Sequence, residues 1–220
     1  TDDDFGYDVA TDALGNVFVA GDFNSSAISF GSITLGTSGA RDIFLVKYDP
    51  LGNALWASQA IGANWDEVTS VATDTSGNAY ITGRFTSSSL VFGTFTLTHS
   101  PVPGTTNFFL AKYDALGNVM WATNGGGASY QGQATSVATD IAGNVYLAGF
   151  FGPSNITFGP YTLNNAGITN IFLVKYDTFG NVLWAKSVSG SSEDRAFSIA
   201  TDVFGGVYMT GYFQSPNCLF

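Results

Sequence analysis

The chain has 220 residues, enough to bury a sizeable core, and its 45% hydrophobic and 15% aromatic content argues against disorder. Charged residues are only 11%, about half the usual share, while the 27 glycines suit a strand-and-turn protein. The net charge of −10, with four Lys and three Arg scattered along the chain, argues against partners that present phosphates, such as nucleic acid or an anionic membrane.

Self-similarity organises the chain. Ala10-Thr11-Asp12 returns as Ala72-Thr73-Asp74, Ala138-Thr139-Asp140 and Ala200-Thr201-Asp202, in steps of 62, 66 and 62 residues. Within the first repeat, the elements come in a fixed order. An Asp-x-x-Gly-Asn turn at Asp12–Asn16 leads into the apolar run Val17–Gly21. A short pair, Ala27–Phe30 with Ser32–Leu35, is followed by Ile43–Tyr48. A second turn, Asp49–Asn53, then leads to an apolar strand around Trp56. Tyr80, Tyr146 and Tyr208 mark later copies of the first run, and Phe108–Tyr113 and Ile171–Tyr176 copy the third. Trp121 and Trp184 follow Trp56 in register, as Phe92-Gly93 and Phe158-Gly159 follow Phe30-Gly31. These runs are β-branched, aromatic and nearly continuous, which predicts strands buried on both faces.

The turns have a mechanism. Asp12 and Gly15, Asp49 and Gly52, Asp74 and Gly77, Asp114 and Gly117, Asp140 and Gly143, Asp177 and Gly180, and Asp202 and Gly205 open and close seven copies of one signal. The aspartate accepts backbone N–H groups, and the glycine supplies the positive φ that closes a type I turn with a bulge. Two hairpins per repeat make antiparallel neighbours, which disfavours a parallel solenoid. The expected fold is all-β: a β-propeller of roughly 63-residue, four-stranded antiparallel blades, each with an inserted hairpin. Blades are expected at about 1–62, 63–127 and 128–190, with a partial fourth at 191–220, so that about three and a half blades form an incomplete ring. The remaining blades are expected from a longer chain or an assembly partner.

The strings Asp-x-x-Gly-Asn-Val-Tyr-Val-x-Gly and Phe-Leu-Val-Lys-Tyr-Asp-x-x-Gly-Asn-x-x-Trp-Ala resemble the bacterial SBBP repeat family, as does the acidic link at Asp4, Asp66 and Asp194. The NHL repeats have a similar turn style. Gly132 replaces the acid in the third link, and Gly206 replaces Asn in the last turn. The resemblance implies a propeller fold and a place in a large exported or cell-surface bacterial protein.

No catalytic constellation is legible. His99 is the sole histidine and is expected to be an exposed loop residue. Cys218 is the sole cysteine and makes no internal disulfide. Asp2, Asp3 and Asp4 are weak Ca²⁺ candidates, with no other cofactor expected. Lys47, Lys112 and Lys175 are expected at solvated strand ends with local salt links, and Trp56, Trp121 and Trp184 between blades. Trp65 has no aromatic counterpart in the other links, where Asp3, Gln131 and Glu193 stand, and is the candidate ligand contact. The functional expectation is a non-enzymatic module for protein binding, adhesion or scaffolding. A glycan-binding propeller is the alternative, and a hydrolase or lyase with its site in other blades is the third reading.

Overall fold

The computed structural model describes residues 3–99, 106–126, 132–152, 154–165, 167–188 and 190–216. The first unit holds β1 (Asp4–Thr11), β2 (Val17–Phe23), β3 (Ala27–Phe30), β4 (Ile33–Gly36), β5 (Asp42–Tyr48) and β6 (Ala54–Gly62). The second repeats it with β7 (Asp66–Thr73), β8 (Ala79–Phe85), β9 (Ser89–Phe92), β10 (Phe95–Thr98), β11 (Asn107–Tyr113) and β12 (Val119–Gly126). The third has β13 (Gly132–Thr139), β14 (Val145–Phe151), β15 (Ser154–Phe158), β16 (Tyr161–Asn165), β17 (Asn170–Tyr176) and β18 (Val182–Val188). A fourth begins with β19 (Asp194–Thr201) and β20 (Val207–Phe213).

Each unit is an antiparallel sheet in the order β1-β2-β5-β6, and the strand orders of the second and third units match it. Continuous apolar runs give strands buried on both faces, as at β14, where every residue is buried. The units pack face to face on aromatic layers, in which Phe108 stacks on Phe172 at 5.3 Å and Phe92 meets Phe109 at 5.2 Å.

One expectation needs correction. The inserted hairpin does not stay with its own four strands: β9 pairs with β6 of the preceding unit through Ala60↔Phe92, Ile61↔Val91 and Gly62↔Leu90. The sheet therefore becomes six-stranded, β1-β2-β5-β6-β9-β10, and β15 adds to β12 at Gly126↔Thr157. Pairing with the preceding unit satisfies the outer strand's free edge, which a four-stranded unit would leave open.

Both turns of every unit lie at one end of the strands. Asp12 shows their construction: Leu14 N and Asn16 N donate to its Oδ1 at 3.0 and 2.9 Å, and Asn16 Nδ2 donates to its Oδ2 at 2.7 Å. The closing glycines hold φ between 76° and 89°. At Asp202, where Gly206 replaces the asparagine, Tyr208 Oη still donates to Oδ2 at 2.8 Å, as Tyr80 and Tyr146 do at Asp74 and Asp140.

The acidic link has a structural role. Asp66 is fully buried and accepts Thr86 N, Ser87 N and Ser87 Oγ, at 3.1, 3.2 and 2.6 Å. Asp4 holds Asn24 and Ser25, and Asp194 holds Gln214 and Ser215, in the same manner. Where Gly132 replaces the acid, the sequence has Gly152-Pro153 in place of that serine-bearing pair, so acid and serine are lost together.

Inner strands are laced across units by side chains. Thr73, Thr139 and Thr201 donate from Oγ1 to the carbonyls of Thr11, Thr73 and Thr139 at 2.8, 2.8 and 2.6 Å. Val71 N, Val137 N and Ile199 N donate to Asp8 Oδ2, Ser70 Oγ and Ser136 Oγ.

Candidate functional site

The turn end repeats one Asp-x-x-Gly frame between units, and the sheet residues at the opposite rim differ. At that rim each inner strand faces the next strand in a cross-strand pair: Phe5↔Asp22, Glu67↔Arg84, Gln133↔Phe150 and Arg195↔Tyr212. Two residues on, each inner strand carries an extra residue at a register shift, namely Tyr7, Thr69, Thr135 and Phe197. Bulges of this kind re-aim side chains without disturbing the sheet behind them.

Both positions of the cross-strand pair hold four different residue types in the four units, and the bulge holds three, which makes this rim the variable surface of a repeated scaffold. Its most elaborate part spans the first two units. Asp22 is fully buried, and neither carboxylate oxygen has a hydrogen-bond donor at bonding geometry. Arg41 Nη1 lies 3.3 Å from Asp22 Oδ1 and 3.8 Å from Glu67 Oε1, so it bridges the units. Its guanidinium sits between the Phe5 ring at 5.2 Å and the Trp65 ring at 4.4 Å. Arg84 Nη2 closes the cluster on Glu67 Oε2 at 2.8 Å. A second, simpler junction places Arg195 over the Phe150 ring at 4.6 Å and in an ion pair with Glu193.

Burial pushes the Asp22 carboxyl up to about 7, more than Arg41 can pull it down, with Glu67 and Asp4 adding upward repulsion. The turn aspartates behave oppositely. Burial works against ionisation at Asp12, Asp114, Asp140 and Asp177, but bonds from the paired asparagine outweigh it and hold them below the usual range. At Asp49 the Asn53 side chain leads, and at Asp202 the Gly206 N–H. By linkage, what the turn aspartates contribute is present above pH ~3.8 and lost as pH falls through their lowered values. Asp22, raised when folded, contributes stability below pH ~3.8 that is lost as pH rises through about 7. Stability measured by urea unfolding across pH is therefore expected to peak near pH ~4–5 and decline toward pH ~8. Asp22→Asn should flatten the alkaline decline, worth on the order of 3 kcal/mol, while His99, held neutral by burial, contributes a slope of opposite sign in both proteins.

Trp65 is 54% exposed at this rim and stacks on Arg41, so the one link residue singled out in the sequence belongs to the inter-unit cluster. Arg41, Asp22 and Tyr7 had no signal in the repeat markers; the signal available was their failure to repeat. The lysines correct an expectation. Lys47 is 5% exposed rather than solvated, with Nζ 3.3 Å from Asp12 Oδ2, 3.4 Å from Ala115 O and 4.7 Å from the Phe18 ring centroid. Lys112 donates to Thr178 O at 3.2 Å, and Lys175 lies 3.5 Å from Asp140 Oδ2. Trp56 Nε1 and Trp121 Nε1 donate to those same carbonyls, Ala115 O and Thr178 O, both at 3.1 Å. Lysine and tryptophan of one unit thus hold the outer turn of the next, which places these tryptophans between units.

His99 also departs from expectation. It is 8% exposed, edge-on to Phe85 at 5.9 Å, and its N–H donates to Ser88 O at 3.0 Å across the base of the hairpin. It borders an open cleft of about 470 Å³ with Thr98, Asn107, Asn124 and Thr157, and among the described residues no second titratable group lines it. Asp4 spends its carboxylate on Asn24 and Ser25, Asp3 is exposed, and Asp2 and Cys218 lie outside the described residues. Among the described residues no three His, Cys, Asp or Glu side chains gather as metal ligands.

The strand, turn and strand of residues 55–87 match the family model for the SBBP β-propeller repeat. Residues 55–87 are an SBBP repeat. The other units carry the same Asp-x-x-Gly turns and inner-strand bulges. Two curated proteins are similar to the chain. A protein named "uncharacterized WD repeat-containing protein L264", of Acanthamoeba polyphaga mimivirus, is 27% identical over 96% of this chain and 18% of its own length. "Regulatory protein FlaEY" of Caulobacter vibrioides is 27% identical over 63% of the chain and 15% of its own length. The chain thus spans less than a fifth of either relative. No helix among the described residues is long and apolar enough to cross a membrane, which says nothing of β-barrels.

Proposed function

We propose that the chain is a non-enzymatic β-propeller module that binds a protein partner through the variable rim, in an adhesive or scaffolding role. The ring is read as about three and a half blades, completed by further repeats of a longer chain or by an assembly partner. The bacterial cell surface or exterior is its proposed location, on the resemblance of its repeats. One observation carries the reading: the repeats agree at most residues that hold the scaffold and diverge where Phe5, Tyr7, Asp22, Arg41, Trp65, Glu67 and Arg84 meet. Agreement at turns and divergence at one rim is how a repeat scaffold acquires specificity. The WD-repeat relative supports an interaction role.

Peptides selected from a displayed library on the immobilised protein should lose about tenfold in affinity on Trp65→Ala/Arg84→Ala, as expected for an aromatic and an arginine anchor. Selected peptides that bind the double variant unchanged would overturn the rim assignment. Hydrolysis or elimination on a polysaccharide and ester panel would overturn the non-enzymatic reading. A glycan is the second occupant, favoured by the half-exposed indole of Trp65 and the exposed Tyr7 ring on the same rim. Retention of a saccharide on an array, abolished by Trp65→Ala, would decide for it.

A further inference from the structure

The turn end carries an apolar surface that the turns themselves do not require. In each Asp-x-x-Gly turn the hydrogen bonds come from the aspartate, the backbone and the closing residues, leaving the third side chain free to point outward. Serine fills that place at Ser76. Leu14, Leu51, Leu116, Phe179 and Phe204 fill it in five of the other turns, each between 78% and 93% exposed, and Ala142 fills it in the sixth. Ile141 and Val203, one residue earlier in their turns, are 64% and 68% exposed. A single exposed Leu is ordinary; seven large apolar tips on one end of a molecule mark an interaction surface.

The charge around the tips defines what would cover them. The seven tips follow six turn aspartates, all held more acidic than usual, so this end stays anionic down to low pH. The lysines of this end face inward: Lys47 and Lys175 pair with Asp12 and Asp140, and Lys112 with Thr178 O. Apolar tips over a field of fixed carboxylates fit a surface that is apolar and cationic, and repel an anionic bilayer.

We propose that the turn end docks a cationic amphipathic segment of a protein partner, its apolar face on the Leu and Phe tips and its Lys or Arg over the turn carboxylates. This surface lies opposite the variable rim and does not depend on the reading of that rim. The test uses a synthetic Lys/Leu amphipathic helix of about 18 residues, its Glu/Leu counterpart, and vesicles of phosphatidylcholine or phosphatidylglycerol. Titrations run at ~0.15 M salt, where long-range attraction is screened. The Lys/Leu peptide should bind, and Leu51→Ser/Leu116→Ser/Phe179→Ser should weaken it about tenfold. Ser76→Leu should strengthen it. The serine variants touch only exposed side chains, and an unchanged circular dichroism spectrum with an unchanged urea unfolding midpoint shows that a loss is local. Equal affinity in the triple variant reduces the effect to bulk charge and overturns the proposal. Vesicle binding that disappears in the triple variant assigns the face to lipid and overturns it as well.

Discussion

Gly83→Ala is expected to destabilise the chain by about 4 kcal/mol. Gly83 lies on β8 opposite the bulge in β7, where the carbonyl of Glu67 leans over the strand. A Cβ built on Gly83 would stand 2.0 Å from Glu67 O and 2.8 Å from Val68 Cα, both backbone atoms that cannot rotate away. Relief requires moving the inner strand, which is bonded onward through Thr69 Oγ1 to Ala134 O of the next unit. The cost therefore reaches the rim as well as the sheet. Gly52→Ala is the control: its φ is 85°, but nothing lies within 4 Å of the added methyl, so only the backbone penalty of about 1 kcal/mol is expected. Thermal unfolding followed by circular dichroism should separate the two by roughly 6–12 °C. Equal shifts would show that positive φ, and not the carbonyl contact, is the stronger demand for glycine.

Trp121→Ala is expected to cost about 3 kcal/mol, acting between units rather than within one. The indole packs on Gly180 of the next outer turn, donates from Nε1 to Thr178 O at 3.1 Å, and lies 6.1 Å from the Tyr80 ring. Removing it deprives Thr178 O of one donor while Lys112 still holds it at 3.2 Å. Trp121→Phe keeps much of the packing and loses the N–H, so about 1 kcal/mol is expected. Amide exchange read by mass spectrometry should show the gain in opening at residues 176–182 of the neighbouring unit. If exchange rises only in the strand that bears Trp121, the indole is a local core residue and the inter-unit role fails.

The repeat, the strands and all seven hairpin turns were legible in the sequence because the forces that set them act over a few residues. Asp12 bonds atoms two and four positions away, Gly15 needs only its own φ, and a β-branched run such as Val17–Val19 declares its strand without reference to a partner. Trp65 could be marked for the same reason, as a residue breaking a local pattern. The partners that fill this scaffold lie far apart in sequence. Trp56 and Ala115 O are 59 residues apart, and Lys47 and Ala115 O are 68 apart. Composition and spacing carry no information about which atom of the next unit a side chain will meet. Hence Lys47 reads as a solvated strand end and proves buried, and His99 reads as an exposed loop residue and proves packed on Phe85. The exchange of hairpins, with β9 completing the edge of β6, is decided by packing between whole units. So is the rim where Arg41 joins Asp22, Trp65 and Glu67: only tertiary structure places the unrepeated residues together, since nothing local obliges them to meet.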